Sequence, residues 1–138
     1  MSFRPWPVLL LLAACGGGLH YVTLTASPAG APPDVMECVK GVLGKAKYQQ
    51  TSIDMGSPLR ITAKQSDYSV QVANPRYYRN SDRIEAEVAA GADGRATLKV
   101  VGHTFEESET VRGPTDTEVA ASDKVKQVAQ DVIQACGQ

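Results

Sequence analysis

The sequence predicts a small α+β domain, a two-layer sandwich in which two helices cover one face of a four-stranded antiparallel sheet. Two segments, one near residue 40 and one near residue 130, place apolar residues at every third or fourth position, which is typical of amphipathic helices. The segments between them alternate apolar and polar residues, which is typical of half-buried strands. Turn residues divide these strands into two hairpins, so the expected order is helix, two hairpins, helix.

The first helix is expected to begin at Pro33. Proline suits the first turn of a helix, and the carboxylate of Asp34 suits the positive end of the helix dipole. The apolar stripe consists of Val35, Met36, Val39, Val42, Leu43 and Ala46. Gly41 and Gly44 each cost about 1 kcal/mol relative to alanine, so this helix depends on packing against the rest of the domain.

The first hairpin is expected between residues 51 and 63. Its alternating positions are Thr51, Ile53, Met55, Leu59, Ile61 and Ala63. The residues Gly56, Ser57 and Pro58 interrupt the alternation and mark the turn. A three-residue loop at this point pairs Ile53 with Ile61 on one face of the sheet.

The second hairpin is expected between residues 84 and 100. Its alternating positions are Ile84, Ala86, Val88, Ala90, Ala96, Leu98 and Val100. A two-residue turn at Asp93 and Gly94 would pair Val88 with Lys99 and mix the two faces of the sheet. A three-residue loop that starts one residue earlier pairs Val88 with Leu98 instead, and it gives Gly94 the left-handed conformation of a bulge residue. We therefore expect the longer loop.

The second helix is expected after residue 114. Thr115 and Glu118 have the spacing of a capping box, in which each side chain bonds a free backbone N–H of the first turn. The apolar stripe consists of Val125, Val128, Ala129, Val132 and Cys136. Gly137 follows the stripe and is a natural end for the helix.

The N-terminus carries a short apolar run that ends on Leu12-Ala13-Ala14-Cys15, with Arg4 as the only charged side chain before it. The run is shorter than the ~20 residues that a transmembrane helix needs, and it is typical of a signal-peptide core. Small residues that lead directly into a cysteine resemble the lipobox of bacterial lipoproteins.

In that family the cysteine sulfur receives a diacylglyceryl group, the leader is removed, and the new amino terminus is acylated with a chain such as palmitate. The resemblance implies a protein anchored in the cell envelope by lipid on Cys15. Gly16 stands where an aspartate would retain such a protein in the inner membrane, so the periplasmic side of the outer membrane is favoured if the source is Gram-negative. The alternative is a plain signal peptide in which Cys15 has no role.

Three parts of the chain are distinguished in this way. Residues 1–14 are the expected signal peptide, residues 15–32 the lipidated cysteine and a flexible tether rich in Gly and Pro, and residues 33–138 one globular domain. Removal of the leader changes the formal charge from -1 to about -2, because Arg4 is lost. A charge so close to zero does not indicate a nucleic-acid partner.

The cysteines support the same division. The chain has three, and an acylated Cys15 leaves Cys38 and Cys136 to pair in an oxidising compartment. Cys38 lies in the opening turns of the first helix and Cys136 in the last turn of the second, so a disulfide requires antiparallel helices. An even number of intervening strands provides that arrangement; four strands satisfy it, whereas three or five do not.

Catalytic and metal-binding chemistry is weakly supported. His20 and His103 have no second histidine or free thiol at ligand spacing, so neither a metal nor a cofactor is expected. Glu106 and Glu107 follow His103, but carboxylates act as acid and base only in a dry cleft, and such runs are usually solvated. The sequence has no nucleophile elbow and no phosphate-binding loop. We therefore expect a protein that is not an enzyme.

One segment has the composition of a contact surface. Cations and amphipathic aromatics are combined in the connection between the hairpins, where the candidate partner-binding residues are Arg76, Tyr77, Tyr78, Arg79 and Arg83. Lipid headgroups, a glycan or an envelope protein are the partners that such a segment suits. The alternative is that Tyr68, Val70 and Val72 form an additional edge strand and the arginines keep it soluble.

The sequence as a whole favours a membrane-anchored envelope lipoprotein that acts as a non-enzymatic binding or accessory module. It would use either the arginine and tyrosine segment or the wet face of the sheet. That face is expected to carry Arg60, Thr62, Glu85, Glu87, Thr97 and Lys99. The alternative is a small hydrolase or ligand-binding enzyme with a cleft near His103, Glu106 and Glu107.

Overall fold

The computed structural model describes residues 20–66, 71–73 and 76–138, apart from the side chains of residues 71–77. The elements in chain order are β1 (Val22–Ala26), α1 (Pro32–Lys45), β2 (Gln49–Asp54), β3 (Leu59–Ser66), β4 (Gln71–Ala73), β5 (Arg76–Ala90), β6 (Ala96–Thr110), β7 (Gly113–Val119) and α2 (Asp123–Cys136). The expected lipobox, Leu12-Ala13-Ala14-Cys15, lies outside the described residues.

A long hairpin of β5 and β6 forms the centre of the sheet. The two strands are 15 residues each and pair antiparallel along their length. The main strand order is β1-β6-β5-β3-β2, while β4 pairs with β5 and β7 pairs with β6 farther along the hairpin. The sheet therefore has two regions that share the same two central strands.

We call these regions the body and the arm. The body comprises β1, β2, β3, both helices, and residues 82–90 and 96–104 of the central hairpin. The arm comprises β4, β7, and residues 76–81 and 105–110 of the hairpin. The arm ends at the turn between β6 and β7, where Thr110 pairs with Gly113.

Both helices pack on one face of the body, where they contact β1, β3, β5 and β6. The apolar residues that are at most 1% exposed at this interface are Val39, Ala63, Ile84, Val88, Ala96, Leu98, Val100, Val125, Ala129 and Val132. Burying an aliphatic side chain contributes about 1.5–3 kcal/mol, so this interface is the main source of stability. Gly102 allows α2 to approach β6, because a Cβ there would lie only 3.0 Å from Val125 Cγ2.

The predicted hairpin registers are confirmed. Ile53 pairs with Ile61 across β2 and β3, and Val88 pairs with Leu98 across β5 and β6. Gly94 has a φ of 78°, the left-handed conformation that the longer loop requires. The alternation of apolar residues was sufficient to set the pairing, because a shift by one residue would expose the whole apolar face.

The helices confirm their predicted stripes, but the start predicted for α2 was wrong. Val125, Val128, Ala129, Val132 and Cys136 are all buried, and α2 ends at Gly137. The actual N-cap is Ser122, whose Oγ accepts a hydrogen bond from the Val125 backbone N–H at 3.0 Å. Thr115 and Glu118 do not form a capping box, because they lie in β7 and their backbone pairs with β6.

The predicted four-stranded meander flanked by helices was wrong, because the protein is mostly sheet. In the described parts of the chain, six strands, β2 to β7, lie between the helices, and β1 adds a further strand before α1. Residues 22–26, expected within the flexible tether, pair with β6 instead. The side chains of Val22 and Leu24 pack against the core and extend the apolar face of the sheet. β7, which was not predicted, consists mainly of exposed polar residues and so shows little apolar alternation.

The predicted disulfide between Cys38 and Cys136 is confirmed. Their Cα atoms are 5.8 Å apart, and 98 positions separate them in the sequence. Cys38 lies in the middle of α1 and Cys136 is the last residue of α2. The bond therefore joins the two helices covalently on the covered face of the body.

Candidate functional site

The face of the sheet opposite the helices is the candidate functional surface. Side chains alternate across a strand, so Arg60 of β3, Glu87 of β5 and Lys99 of β6 form one row on this face. Arg60 Nε donates to Glu87 Oε2 at 2.9 Å. This row and the next enclose a shallow depression of about 280 Å³.

The second row consists of Thr62, Glu85 and Val101, which line the same depression. The wet face expected from the sequence is confirmed: Arg60, Glu85, Thr97 and Lys99 are exposed, and Thr62 and Glu87 are partly exposed. The depression therefore presents charges of both signs beside a hydroxyl and one valine, within a β-sheet that holds their backbones rigid.

Rings and a guanidinium form a cluster next to this depression, on the same face. The centroid of the Tyr21 ring lies 5.3 Å from that of His103, which lies 6.0 Å from that of Phe105. The guanidinium carbon of Arg83 lies 4.5 Å from the centroid of Phe105, in the geometry of a cation–π contact. This aromatic cluster extends from Tyr21, just before β1, through β6 to β5.

His103 is also held by an acid. Its Nδ1 lies 2.6 Å from Oε1 of Glu118, which belongs to β7. Tyr21 precedes β1 and Glu118 belongs to β7, and both strands pair with the same edge of β6. The imidazole therefore lies where the body meets the arm, between Tyr21, which precedes β1, and Glu118 of β7.

Glu107 is the most buried acidic side chain that the structure describes, with 4% exposure. Lys64 Nζ and Arg79 Nε donate to its two carboxylate oxygens, and Ser81 Oγ donates to Oε1 at 3.0 Å. Burial alone would raise the pKa of Glu107, but these hydrogen bonds and the charge of Lys64 lower the pKa from 4.5 to about 2. The carboxylate is thus ionised and neutralised by two cations, which indicates a structural role.

A second polar cluster lies on the helix face, at the boundary between the body and the arm. Thr104 Oγ1 donates to Asp82 Oδ1 at 2.6 Å, and Ser122 Oγ donates to the same carboxylate at 2.9 Å. Because Ser122 also caps α2, this cluster fixes the start of the helix to the central hairpin. The Tyr48 hydroxyl is buried near Asp82; its burial, and then the charge of Asp82, raise the pKa of Tyr48.

The arginine and tyrosine segment is a strand, so its prediction as a connection between hairpins was wrong. Arg76, Tyr77, Tyr78, Arg79 and Arg83 all belong to β5. β4, which contains Val72, pairs with its beginning, so part of the alternative edge strand is present. Tyr68 and Val70, and the side chains of Arg76 and Tyr77, lie outside the described residues.

The three candidate residues of this segment with described side chains do not form one patch. Arg79 and Arg83 are on the uncovered face, where they contact Glu107 and Phe105 respectively. Tyr78 lies on the other face, where a hydrogen bond to Glu106, then burial and the charge of Glu106, raise the pKa of its phenol.

The residues of the alternative enzyme hypothesis are also separated. Glu106 and Glu107 are consecutive in β6, so their side chains point to opposite faces of the sheet. Each has its own partners, and His103 contacts Glu118 rather than either acid. In the described parts of the chain, no group of three or more His, Cys, Asp or Glu side chains is arranged to hold a metal ion.

The Glu107 and Asp82 clusters were not found from the sequence. Lys64 lies 43 positions before Glu107, and Ser122 lies 40 positions after Asp82, so no local spacing signals either contact. The only available signal was an acidic residue, such as Asp82, at a position that the alternation assigns to the apolar face of a strand.

The chain matches no protein-family model, and no curated protein is significantly similar to it. No helix within residues 20–66, 71–73 and 76–138 has the length and apolar character needed to cross a membrane.

Proposed function

We propose that the protein is a lipid-anchored envelope lipoprotein that acts as a non-enzymatic binding module through the uncovered face of its sheet. The observation that carries this proposal is the depression beside the aromatic cluster, on the face that the helices leave open. The lipobox-like segment that ends at Cys15 supports the anchoring.

The chemistry of this face suits recognition. Arg60 Nε donates to Glu87 Oε2, and Arg83 lies over Phe105, so each of these side chains already has a partner on the sheet before another molecule binds. Ordering a long side chain on binding costs about 0.5–1.5 kcal/mol, and preorganised groups avoid part of that cost. Both signs of charge, a hydroxyl and rings suit a mixed polar partner such as a protein or glycan of the envelope.

The binding module is preferred to the enzyme alternative for a geometric reason. His103, Glu106 and Glu107 have separate partners and lie on two faces of β6. General acid–base catalysis requires such groups to converge on one substrate.

A crosslinking experiment in the source cell tests the binding surface. A photoreactive amino acid is placed at Thr97, on the uncovered face, and in a matched strain at Gln130, on the exposed side of α2. We expect a crosslinked partner from Thr97 that becomes at least tenfold weaker when Glu87→Arg is added. Equal crosslinking from both positions, or no effect of Glu87→Arg, would contradict the proposed surface.

The anchor has an independent test. Intact-mass measurement of membrane-extracted protein should show a chain that begins at Cys15, carries acyl groups and lacks the two hydrogens of a disulfide. The variant Cys15→Ser should lack the acyl mass and leave the membrane fraction. A wild-type chain without acyl mass would refute the lipoprotein assignment.

A further inference from the structure

Two turns at opposite ends of the sheet expose an apolar side chain. Val111, at the tip of the arm between β6 and β7, is 83% exposed, and Met55, in the turn between β2 and β3, is 66% exposed. Among the described residues these two large apolar side chains are the most exposed. The path of the N-terminal chain determines which of the two turns can face a membrane to which Cys15 is anchored.

The chain enters the fold from the side of the arm. β1 is antiparallel to β6, with Val22 beside Gly102 and Ala26 beside Leu98. Going backward from Val22, the chain continues in the direction in which β6 runs toward the tip. The Tyr21 ring beside His103, and the His20 carbonyl that accepts from the Ala121 N–H at 2.6 Å, both confirm this direction.

The length of this chain limits how far the fold can lie from a lipid anchor. Seven residue steps lead from Cys15 to Val22, and an extended chain covers at most about 25 Å over that number. The eight steps of β6 from Gly102 to Thr110 cover about 27 Å at ~3.4 Å per residue. A domain that points its arm at the membrane therefore places the tip close to the level of Cys15.

The opposite orientation places the turn of Met55, instead of the tip of the arm, at the membrane. To bring the turn of Met55 to the membrane, the segment before Val22 has to fold back along β1 and the body. Because His20 and Tyr21 already run toward the arm, only the five steps from Cys15 to His20 are free to turn back, and they cover at most about 18 Å. The eight steps of β6 from Thr104, level with His20, to Ala96 cover about 27 Å, which this segment cannot span.

We infer that the tip of the arm, Val111 and Arg112, contacts the phospholipid surface in which the acyl chains of Cys15 are inserted. This inference rests on the proposed lipid anchor. The occupant of the tip is a bilayer surface: Val111 enters the region between headgroups, and Arg112 pairs with phosphate groups.

The tip has a defined shape suited to this contact. Thr110 Oγ1 accepts from the Arg112 backbone N–H at 3.2 Å and donates to the Gly113 carbonyl at 2.9 Å. Gly113 has a φ of 109°, which an L side chain rarely adopts. Glu109 is exposed beside the tip and offsets the charge of Arg112, so apolar contact and position, rather than net charge, direct the tip to the surface.

Fluorescence quenching by lipids tests this contact in the full-length acylated protein. A cysteine is introduced as Val111→Cys or, as the matched control, Met55→Cys, and labelled with an environment-sensitive fluorophore while Cys38 and Cys136 stay oxidised. The proteins are bound to vesicles of phosphatidylethanolamine and phosphatidylglycerol that contain spin-labelled lipid. We expect at least fivefold stronger quenching at position 111 than at position 55.

The outcomes separate this inference from the anchor. Equal quenching at both positions, stronger quenching at 55, or none at 111 in a protein with the acyl mass overturns the inference and leaves the anchor standing. A protein without acyl mass overturns the anchor, and the inference falls with it. Because both positions lie in exposed turns, an unchanged melting temperature of each labelled variant verifies that the fold is intact.

Discussion

The body and the arm are built on the same two strands, yet they are stabilised differently. In the body, the helix face of β6 carries Leu98 and Val100, both at most 1% exposed beneath the helices. In the arm, the same face of β6 carries Glu106, Ser108 and Thr110, all only partly buried. A hydrogen-bonded ladder continues through both regions, but among the described side chains of β5 and β6 the fully buried apolar residues all lie in the body. The comparison shows that strand pairing extends a sheet and that packing supplies most of its free energy.

Polar clusters mark the boundary between the two regions. Asp82 binds Ser122 and Thr104 on the helix face, and Glu107 binds Lys64, Arg79 and Ser81 on the other face. The body therefore ends where its apolar contacts give way to buried charges that are neutralised by specific partners.

The largest effect should come from the covalent link within the body. The variant Cys38→Ser removes a bridge across 98 positions, which the chain-entropy model values at about 4–5 kcal/mol. Thermal and urea unfolding of the oxidised protein should show this loss, and wild-type protein in a reducing agent should match the variant. Hydrogen exchange should accelerate in the body, while arm amides, which open locally, change little. An unchanged unfolding midpoint would contradict this expectation.

A pair of apolar truncations compares the regions directly. Leu98→Ala leaves a cavity under both helices and should lower the free energy of unfolding by about 3 kcal/mol. Val111→Ala removes an 83% exposed side chain at the tip and should change it by less than about 0.5 kcal/mol. Urea unfolding measures both. Similar losses of unfolding free energy in the two variants would mean that side-chain contacts stabilise the tip of the arm as much as they stabilise the body.

The Glu107 cluster should make the free energy of unfolding depend on pH, with an effect of intermediate size. The lowered pKa of Glu107, about 2 against 4.5, means that its carboxylate stabilises the folded state above pH 4.5. This contribution, about 3 kcal/mol at most, is lost as the pH falls from about 4.5 to about 2. Glu107→Gln should therefore destabilise the protein at pH 7 and become equal to wild type near pH 2.

The exposed acid Glu85, on the same face, provides the control for this titration. Glu85→Gln should leave the free energy of unfolding within about 0.5 kcal/mol of wild type at pH 7, as surface substitutions usually do. A constant difference between Glu107→Gln and wild type from pH 7 to pH 2 would show that the charge of Glu107 is not what stabilises the cluster.

A small effect is expected at Tyr48, and the sign of the change in the free energy of unfolding is informative. Its hydroxyl is buried and has no hydrogen-bond partner among the described residues. Tyr48→Phe should therefore leave the free energy of unfolding unchanged or raise it by up to about 1 kcal/mol, because an unpaired buried hydroxyl is costly. Urea unfolding measures the change, and a loss above about 1 kcal/mol would indicate that the hydroxyl bonds a group outside the described residues.

The sequence predicted the body far better than the arm, for a physical reason. In β5 and β6 of the body, one face is apolar and the other polar, so periodicity reveals the strands and even their register. Among the described side chains of the arm, polar residues predominate on both faces and apolar ones such as Phe105 are isolated, so the same strands leave no apolar period to detect. Ser108 and Thr115, for example, share a hydrogen bond across β6 and β7, and Tyr78, which pairs with Ser108 in the same row, is exposed.

Two other predictions were wrong because pairing with distant residues outweighed the local sequence signals. The segment Val22–Ala26 alternates as a strand should, but the glycines and prolines around it indicated a tether. Thr115 has capping spacing with Glu118, yet pairing with β6 determines its conformation and Ser122 starts the helix instead. The uncovered face was predictable because it follows from the same alternation as the core, whereas the Glu107 cluster depends on contacts between distant residues.

The position of the disulfide also decides how the protein responds to mechanical load. The bond between Cys38 and Cys136 encloses the described strands β2 to β7 in one covalent ring and leaves β1 outside it. A pull on the N-terminus acts along β1, so its five backbone pairs with β6 are loaded together in shear rather than opened one at a time. If they yield, extension stops at Cys38, and the ring that contains the rest of the sheet transmits the force without being unravelled.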